Sequence, residues 1–161
     1  MSVFSRAGLF VILTLILALI LSILPMPSWA SDYRPQWMTL ILIYWCLARP
    51  NQFGIFAGFA LGIAQDVISG ALLGEHALSF SVIAYLVGEL HRRIRAFPLW
   101  QQAVAVWLLL LIERLLSFWI LGATGQPTPT LAYWLPTLVG LLLWPWLSQL
   151  LDRLRFSLWL V

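Results

Sequence analysis

The stretch GIFAGFALGIAQDVISGALLG, residues 54–74, places a glycine at every fourth position except one, where Asp66 stands. Positions four apart advance by about 40° around a helix, so such residues form one slowly winding ridge with almost no side-chain volume. Close approach of a neighbouring helix to such a ridge is a main source of helix association in lipid. We therefore predict a helix-packing or partner interface, within the chain or with another, at Gly54, Gly58, Gly62, Gly70 and Gly74.

The composition predicts an integral membrane protein. Of the 161 residues, 62% are hydrophobic and 9% are charged, and the apolar runs are too long and too frequent for a water-soluble core. The connections between these runs are short and polar or contain proline, which leaves no room for a soluble domain. We predict an all-α fold in which residues 1–161 form one polytopic membrane bundle of six transmembrane helices. The expected spans are roughly 8–24, 36–49, 53–73, 75–91, 98–121 and 131–151.

The basic residues, all of them arginine, predict the orientation of this bundle. With the N-terminus inside, nearly all arginines fall on the cytoplasmic side, as the positive-inside rule requires. Both termini are then cytoplasmic, and the net charge of +3 needs no nucleic-acid partner. Arg34 is the one arginine expected on the outer side of the membrane, and Arg114 is expected within a span. The expected cytoplasmic arginines are Arg6, Arg49, Arg92, Arg93, Arg95, Arg153 and Arg155.

The second span is unusually short because prolines flank it. Pro35 and Pro50 leave residues 36–49 between them, about 21 Å of helix against a hydrocarbon core of about 30 Å. We predict a short helix that is partly covered by its neighbours.

Asp66, Glu113 and Arg114 are predicted to form an intramembrane polar clamp. An unpaired carboxylate about 20 Å into a span is costly, so it must be protonated, paired, hydrogen-bonded or hydrated. Arg114 of the fifth span can reach a comparable depth, whereas its neighbour Glu113 points about 100° away. A clamp that fixes helix register is favoured over a ligand site or proton pathway because so few charges are present. If Asp66 only accepts hydrogen bonds, Asp66→Asn should be tolerated and Asp66→Leu should damage assembly.

Catalytic, metal-binding and nucleotide-binding patterns are missing from the sequence. The two histidines, His76 and His91, and the single Cys46 match no metal-ligand spacing. No nucleophile, base and orienting group occur together in a span, and the chain lacks the lysine of a phosphate-binding loop. We expect no enzymatic activity, no cofactor and no metal.

Several segments together resemble the bacterial family of rod shape-determining proteins called MreD. They are RPQWMTLILIYWCLARP, GFALGIAQDVISGALLGEHALSFSVIAYLV, LWQQA and GLLLWPWLSQLLDRLR, the last typical of the gammaproteobacterial branch. The resemblance implies a multi-pass, non-catalytic scaffold of the cell inner membrane, in the elongasome that inserts lateral peptidoglycan. The partners it implies are MreC, the MreB filament, a RodA-type glycosyltransferase, a class B penicillin-binding transpeptidase and membrane lipid.

A second function stays open because that family's fold is similar to the substrate-binding subunits of energy-coupling-factor transporters. This likeness implies, as the alternative, a small-molecule-binding membrane subunit of a vitamin-type transporter.

Overall fold

The computed structural model describes residues 3–29, 34–70, 73–125 and 131–157, and these form an all-helical bundle. The all-α class is therefore confirmed. Six α-helices follow one another, with a 3-10 helix, Leu131–Trp134, before the last. They are α1 (Val3–Ile23), α2 (Trp37–Ala48), α3 (Ile55–Ser69), α4 (Glu75–Ala96), α5 (Leu99–Ala123) and α6 (Leu135–Ser157).

Helix α2 is the centre of the bundle. Every side chain from Met38 to Leu47 is buried, and α1, α4, α5 and α6 all contact this helix. The short length inferred from the flanking prolines is thus accommodated by protein, because neighbouring helices cover the apolar surface on all sides. Trp45 shows how the centre is tied to α1: its indole Nε1 donates to Thr14 Oγ1 at 2.9 Å.

The helix boundaries differ from the expected spans in several places. Helix α1 begins at Val3, before the expected residue 8. Helix α3 ends at Ser69 and not at residue 73, because Gly70 takes a left-handed conformation (φ 69°) that ends the helix. Helix α4 continues to Ala96, beyond the expected 91, since Phe97 and the following proline stop it only there. Helix α6 begins at Leu135, after the 3-10 turn, and continues to Ser157 instead of 151.

Within the described residues, one helix, Leu99–Ala123, combines the length and the apolar composition of a complete membrane span. Shorter apolar helical segments occupy Gly8–Ile23, Trp37–Ala48 and Ile55–Ser69.

The helices alternate in direction along the chain, which gives the bundle two distinct ends. We call the end that contains Asp66 and the start of α4 the Asp66 end, and the opposite end, where α4 finishes, the Arg95 end.

Candidate functional site

Two glycines of the ridge let α3 pack directly on α4. A Cβ atom added at Gly58 would lie 2.6 Å from the carbonyl oxygen of Phe80, and one added at Gly62 would collide with the backbone of His76 and Ala77. These are contacts with backbone atoms, which cannot move aside as a flexible side chain could. The interface at these two positions is therefore made within the chain.

The other three glycines make no such contact among the described residues, so a partner interface at Gly54, Gly70 and Gly74 stays a prediction. Among the residues that the structure describes, a Cβ at Gly54, Gly70 or Gly74 would meet nothing within 4 Å. At Gly70 and Gly74 the physical reason is that α3 ends at Ser69, so the periodicity has no helix to act on beyond that residue, whereas Gly54 precedes the first residue of α3, Ile55. Gly70 and Gly74 instead have positive φ angles of 69° and 104° in the α3–α4 turn, a conformation that favours glycine.

Asp66 binds the first turn of α4. Its Oδ2 accepts from the backbone N–H of Gly74 at 2.9 Å and of Ala77 at 3.4 Å. Its Oδ1 accepts from the backbone N–H of His76 at 2.9 Å and lies 2.7 Å from His76 Nδ1. The carboxylate is only 1% exposed, so these contacts replace the water that it has lost.

This arrangement satisfies a helix end that has no cap of its own. The residue before α4 is Gly74, which has no side chain to bind the free N–H groups of the first turn. Asp66, from the last turn of α3, supplies the missing acceptor, and its negative charge is favoured by the positive end of the α4 dipole. The same residue thus holds α3 and α4 in register.

Glu113 forms a second buried contact, between α5 and the start of α2. It is 3% exposed and accepts from the side-chain amide of Gln36, with Ser117 Oγ at 3.5 Å on its other oxygen. Gln36 and Glu113 lie far apart in the chain, and only the packing of α2 against α5 brings them together.

Arg114 is not the partner of Asp66 that its depth suggested. Its guanidinium lies over the ring of Tyr133, 4.6 Å from the centroid, and the Tyr133 hydroxyl donates to the Arg114 carbonyl oxygen at 3.2 Å. Consecutive residues of a helix point about 100° apart, so Glu113 faces α2 while Arg114 faces the 3-10 helix. The three residues predicted as one clamp therefore make three separate contacts.

Sequence reasoning missed three contributors to these contacts. His76, which matches no metal-ligand spacing, binds Asp66 through both its backbone and its ring. Gln36 and Tyr133 were not singled out at all. The sequence does contain a signal for His76, because Gly74 before Glu75 leaves α4 without a capping side chain. It contains no comparable signal for Gln36 or Tyr133.

Together these contacts make a structural site at the Asp66 end. Each joins two elements, namely α3 with α4, α2 with α5, and α5 with the 3-10 helix. No group of three or more His, Cys, Asp or Glu side chains able to hold a metal occurs among the residues that the structure describes. The three contacts hold helices in fixed orientations relative to one another.

We expect Glu113→Leu to lower the free energy of unfolding by about 1–3 kcal/mol, because it leaves the buried Gln36 amide without its acceptor. Glu113→Gln keeps one acceptor oxygen and should cost less. Thermal unfolding of the purified protein in detergent measures both, with Glu89→Leu on the exposed side of α4 as the control. Equal melting temperatures for Glu113→Leu and the control would contradict a contribution from this contact.

Comparison with known proteins gives the class to which this bundle belongs. Residues 4–154 match the family described as rod shape-determining protein MreD. A protein of Haemophilus influenzae named rod shape-determining protein MreD is 34% identical over 143 residues, which cover 87% of this chain and 86% of that protein. No solved structure matches the chain. The chain belongs to the MreD family, which confirms the resemblance and supports a role in determining rod shape.

Proposed function

We propose that this protein is a non-enzymatic membrane scaffold of the machinery that elongates the cell wall. The observation that carries the proposal is its membership of the MreD family over almost the whole chain. As a scaffold it binds MreC and couples MreB filaments to peptidoglycan synthesis by a RodA-type glycosyltransferase and a class B penicillin-binding transpeptidase.

The exposed surface supports insertion of the bundle in the inner membrane with six spans. Large apolar side chains stay exposed along α1, α3, α5 and α6, far beyond the single exposed residues usual for a soluble protein. Lipid, or the helices of partner proteins, would cover them. On α1 alone the exposed apolar residues are Leu9, Ile12, Leu13, Ile16, Leu17, Ile20 and Ile23.

The way the bundle is stabilised also fits a scaffold. The connections between helices are short, so recognition of partners must use helix faces within the bilayer. Glycine contacts and buried polar bonds give those faces a defined register, which a partner needs in order to bind one surface repeatedly.

Depletion of this protein from its rod-shaped host is the test of this proposal. We expect cells to widen and round over several generations as dispersed lateral wall insertion is lost. Re-expression of the natural chain should restore cell width, and co-purification from the restored cells should recover MreC. Normal rods after depletion would refute a role in wall elongation.

A vitamin-type transport subunit is the second candidate, favoured by buried polar atoms with no partner in the described part of the chain. They include the side-chain oxygens of Gln36 and Gln65. This function predicts that a vitamin-like compound stabilises the purified protein and that an ATPase module co-purifies with it. Normal rods with a new vitamin requirement after depletion would favour it over the scaffold.

A further inference from the structure

A cavity of about 240 Å³ opens at the Arg95 end of the bundle, away from the contacts of Asp66 and Glu113. Helices α2, α4, α5 and α6 all contribute to its wall. The polar residues that line it are Tyr44, Arg95, Gln102, Ser148, Asp152 and Arg155.

The charge of this cavity is positive because one acid faces two arginines. Asp152 Oδ1 accepts from the Tyr44 hydroxyl at 2.7 Å. Within the described part of the chain, no carboxylate forms an ion pair with Arg95 or Arg155. The Nε atom of Arg155 is buried and has no hydrogen-bond partner there. The Nε–H of Arg155 is therefore available to an anion and neither arginine has a carboxylate partner among the described residues, whereas one oxygen of Asp152 already accepts from Tyr44.

The remaining polar groups of the wall are held in place by the protein. Gln102 accepts from Trp144 Nε1 at 3.0 Å and donates to the carbonyl oxygen of Ile94 at 3.2 Å. Ser148 donates to the carbonyl oxygen of Pro145 at 3.2 Å. These bonds join α4, α5 and α6 around the cavity, so its shape is formed before any ligand enters.

The wall has an apolar part as well as a cationic part. Leu47 and Phe156 line it together with the arginines. A guanidinium presents paired N–H donors that match the oxygens of a phosphate, and apolar walls suit the carbon chain next to that phosphate. An amphiphile with a phosphate group combines both properties.

We propose that this cavity binds a phosphate group, carried by an anionic phospholipid, through Arg95 and Arg155. Free inorganic phosphate is the other source of the same chemistry. The site belongs to the cytoplasmic leaflet if the proposed orientation of the bundle holds, but phosphate binding itself depends neither on that orientation nor on the scaffold function.

Melting temperatures of the full chain, purified in a neutral detergent, test the proposal. We expect short-chain phosphatidylglycerol to raise the melting temperature in a saturable manner. Inorganic phosphate in a parallel titration separates the sources: a weaker effect assigns the site to the lipid, and an equal effect assigns it to free phosphate. No saturable shift with either compound would overturn the proposal.

Four substitutions distinguish the cavity from general surface charge. Arg95→Gln and Arg155→Gln should each weaken binding by at least about tenfold, because each removes a charge-assisted hydrogen bond. Arg93→Gln and Arg153→Gln are matched controls on the exposed surface of the same two helices and should leave binding unchanged. Equal weakening by all four would overturn the proposal. Arg95 is itself exposed, so Arg95→Gln decides the question even if Arg155→Gln does not fold.

Discussion

Gly62→Leu is expected to lower the melting temperature of the purified protein by about 6 °C or more. The new side chain would occupy the space of the His76 and Ala77 backbone, so α3 and α4 must separate. Overpacking typically costs about 1–3 kcal/mol, and a clash with backbone lies at the upper end of that range or above it; 1 kcal/mol corresponds to about 2–4 °C in a chain of this size. Gly58→Leu should act in the same direction, against the Phe80 carbonyl.

Gly54→Leu is the matched control for this effect. It makes the same chemical change in the same segment, but nothing lies within 4 Å of the added Cβ, and its φ of −126° suits any residue. Phe59→Leu, on the exposed side of α3, is a second control. In depleted cells the two controls should restore rod shape, whereas Gly62→Leu should not. If Gly54→Leu and Gly62→Leu had the same melting temperature, the close contact of α3 with α4 would not stabilise the fold.

Asp66→Leu is expected to destabilise the protein by at least about 3 kcal/mol. The substitution leaves the backbone N–H groups of Gly74, His76 and Ala77 without their acceptor in a buried place, and each such loss costs about 1–3 kcal/mol. Hydrogen exchange at residues 74–77 should accelerate more than exchange elsewhere in α4, because the first turn loses its cap.

The geometry also changes the expectation for Asp66→Asn. The substitution would be tolerated only if one acceptor oxygen could bind all the N–H groups. Both carboxylate oxygens of Asp66 accept from N–H groups, and an asparagine would replace one of these oxygens with an NH₂ group that donates. We now expect Asp66→Asn to lie between the natural protein and Asp66→Leu in melting temperature. Glu89→Gln, the same change on an exposed residue, should stay within about 0.5 kcal/mol of the natural protein. Natural stability and unchanged exchange in Asp66→Leu would refute the capping role.

Part of the site could be predicted because it depends on local periodicity. A four-residue spacing of small residues marks a helix face, and Gly58 and Gly62 do meet a neighbouring helix there. Gly70 and Gly74 share the spacing but make no such contact among the described residues, since a glycine that permits close packing inside a helix also permits the left-handed conformation that ends it. Sequence spacing alone does not separate these two uses.

Partners of the buried charges could not be predicted from depth along a helix. Arg114 and Asp66 were assigned comparable depths, but depth leaves open which way each helix is rotated about its axis. Arg114 faces Tyr133, Glu113 faces Gln36, and Asp66 faces the backbone N–H groups at the start of α4.

The sequence by itself determined the all-helical class, the family and the short second helix. The class follows from composition, the family from the ordered motifs, and the short helix from the two prolines. Each of these depends only on residues that are close together in the sequence or on overall composition. Only the tertiary structure decided that Asp66 caps α4, that Glu113 holds Gln36, and that two arginines share a cavity at the other end. Such contacts depend on the rotation and register of packed helices, and those are properties of the whole bundle.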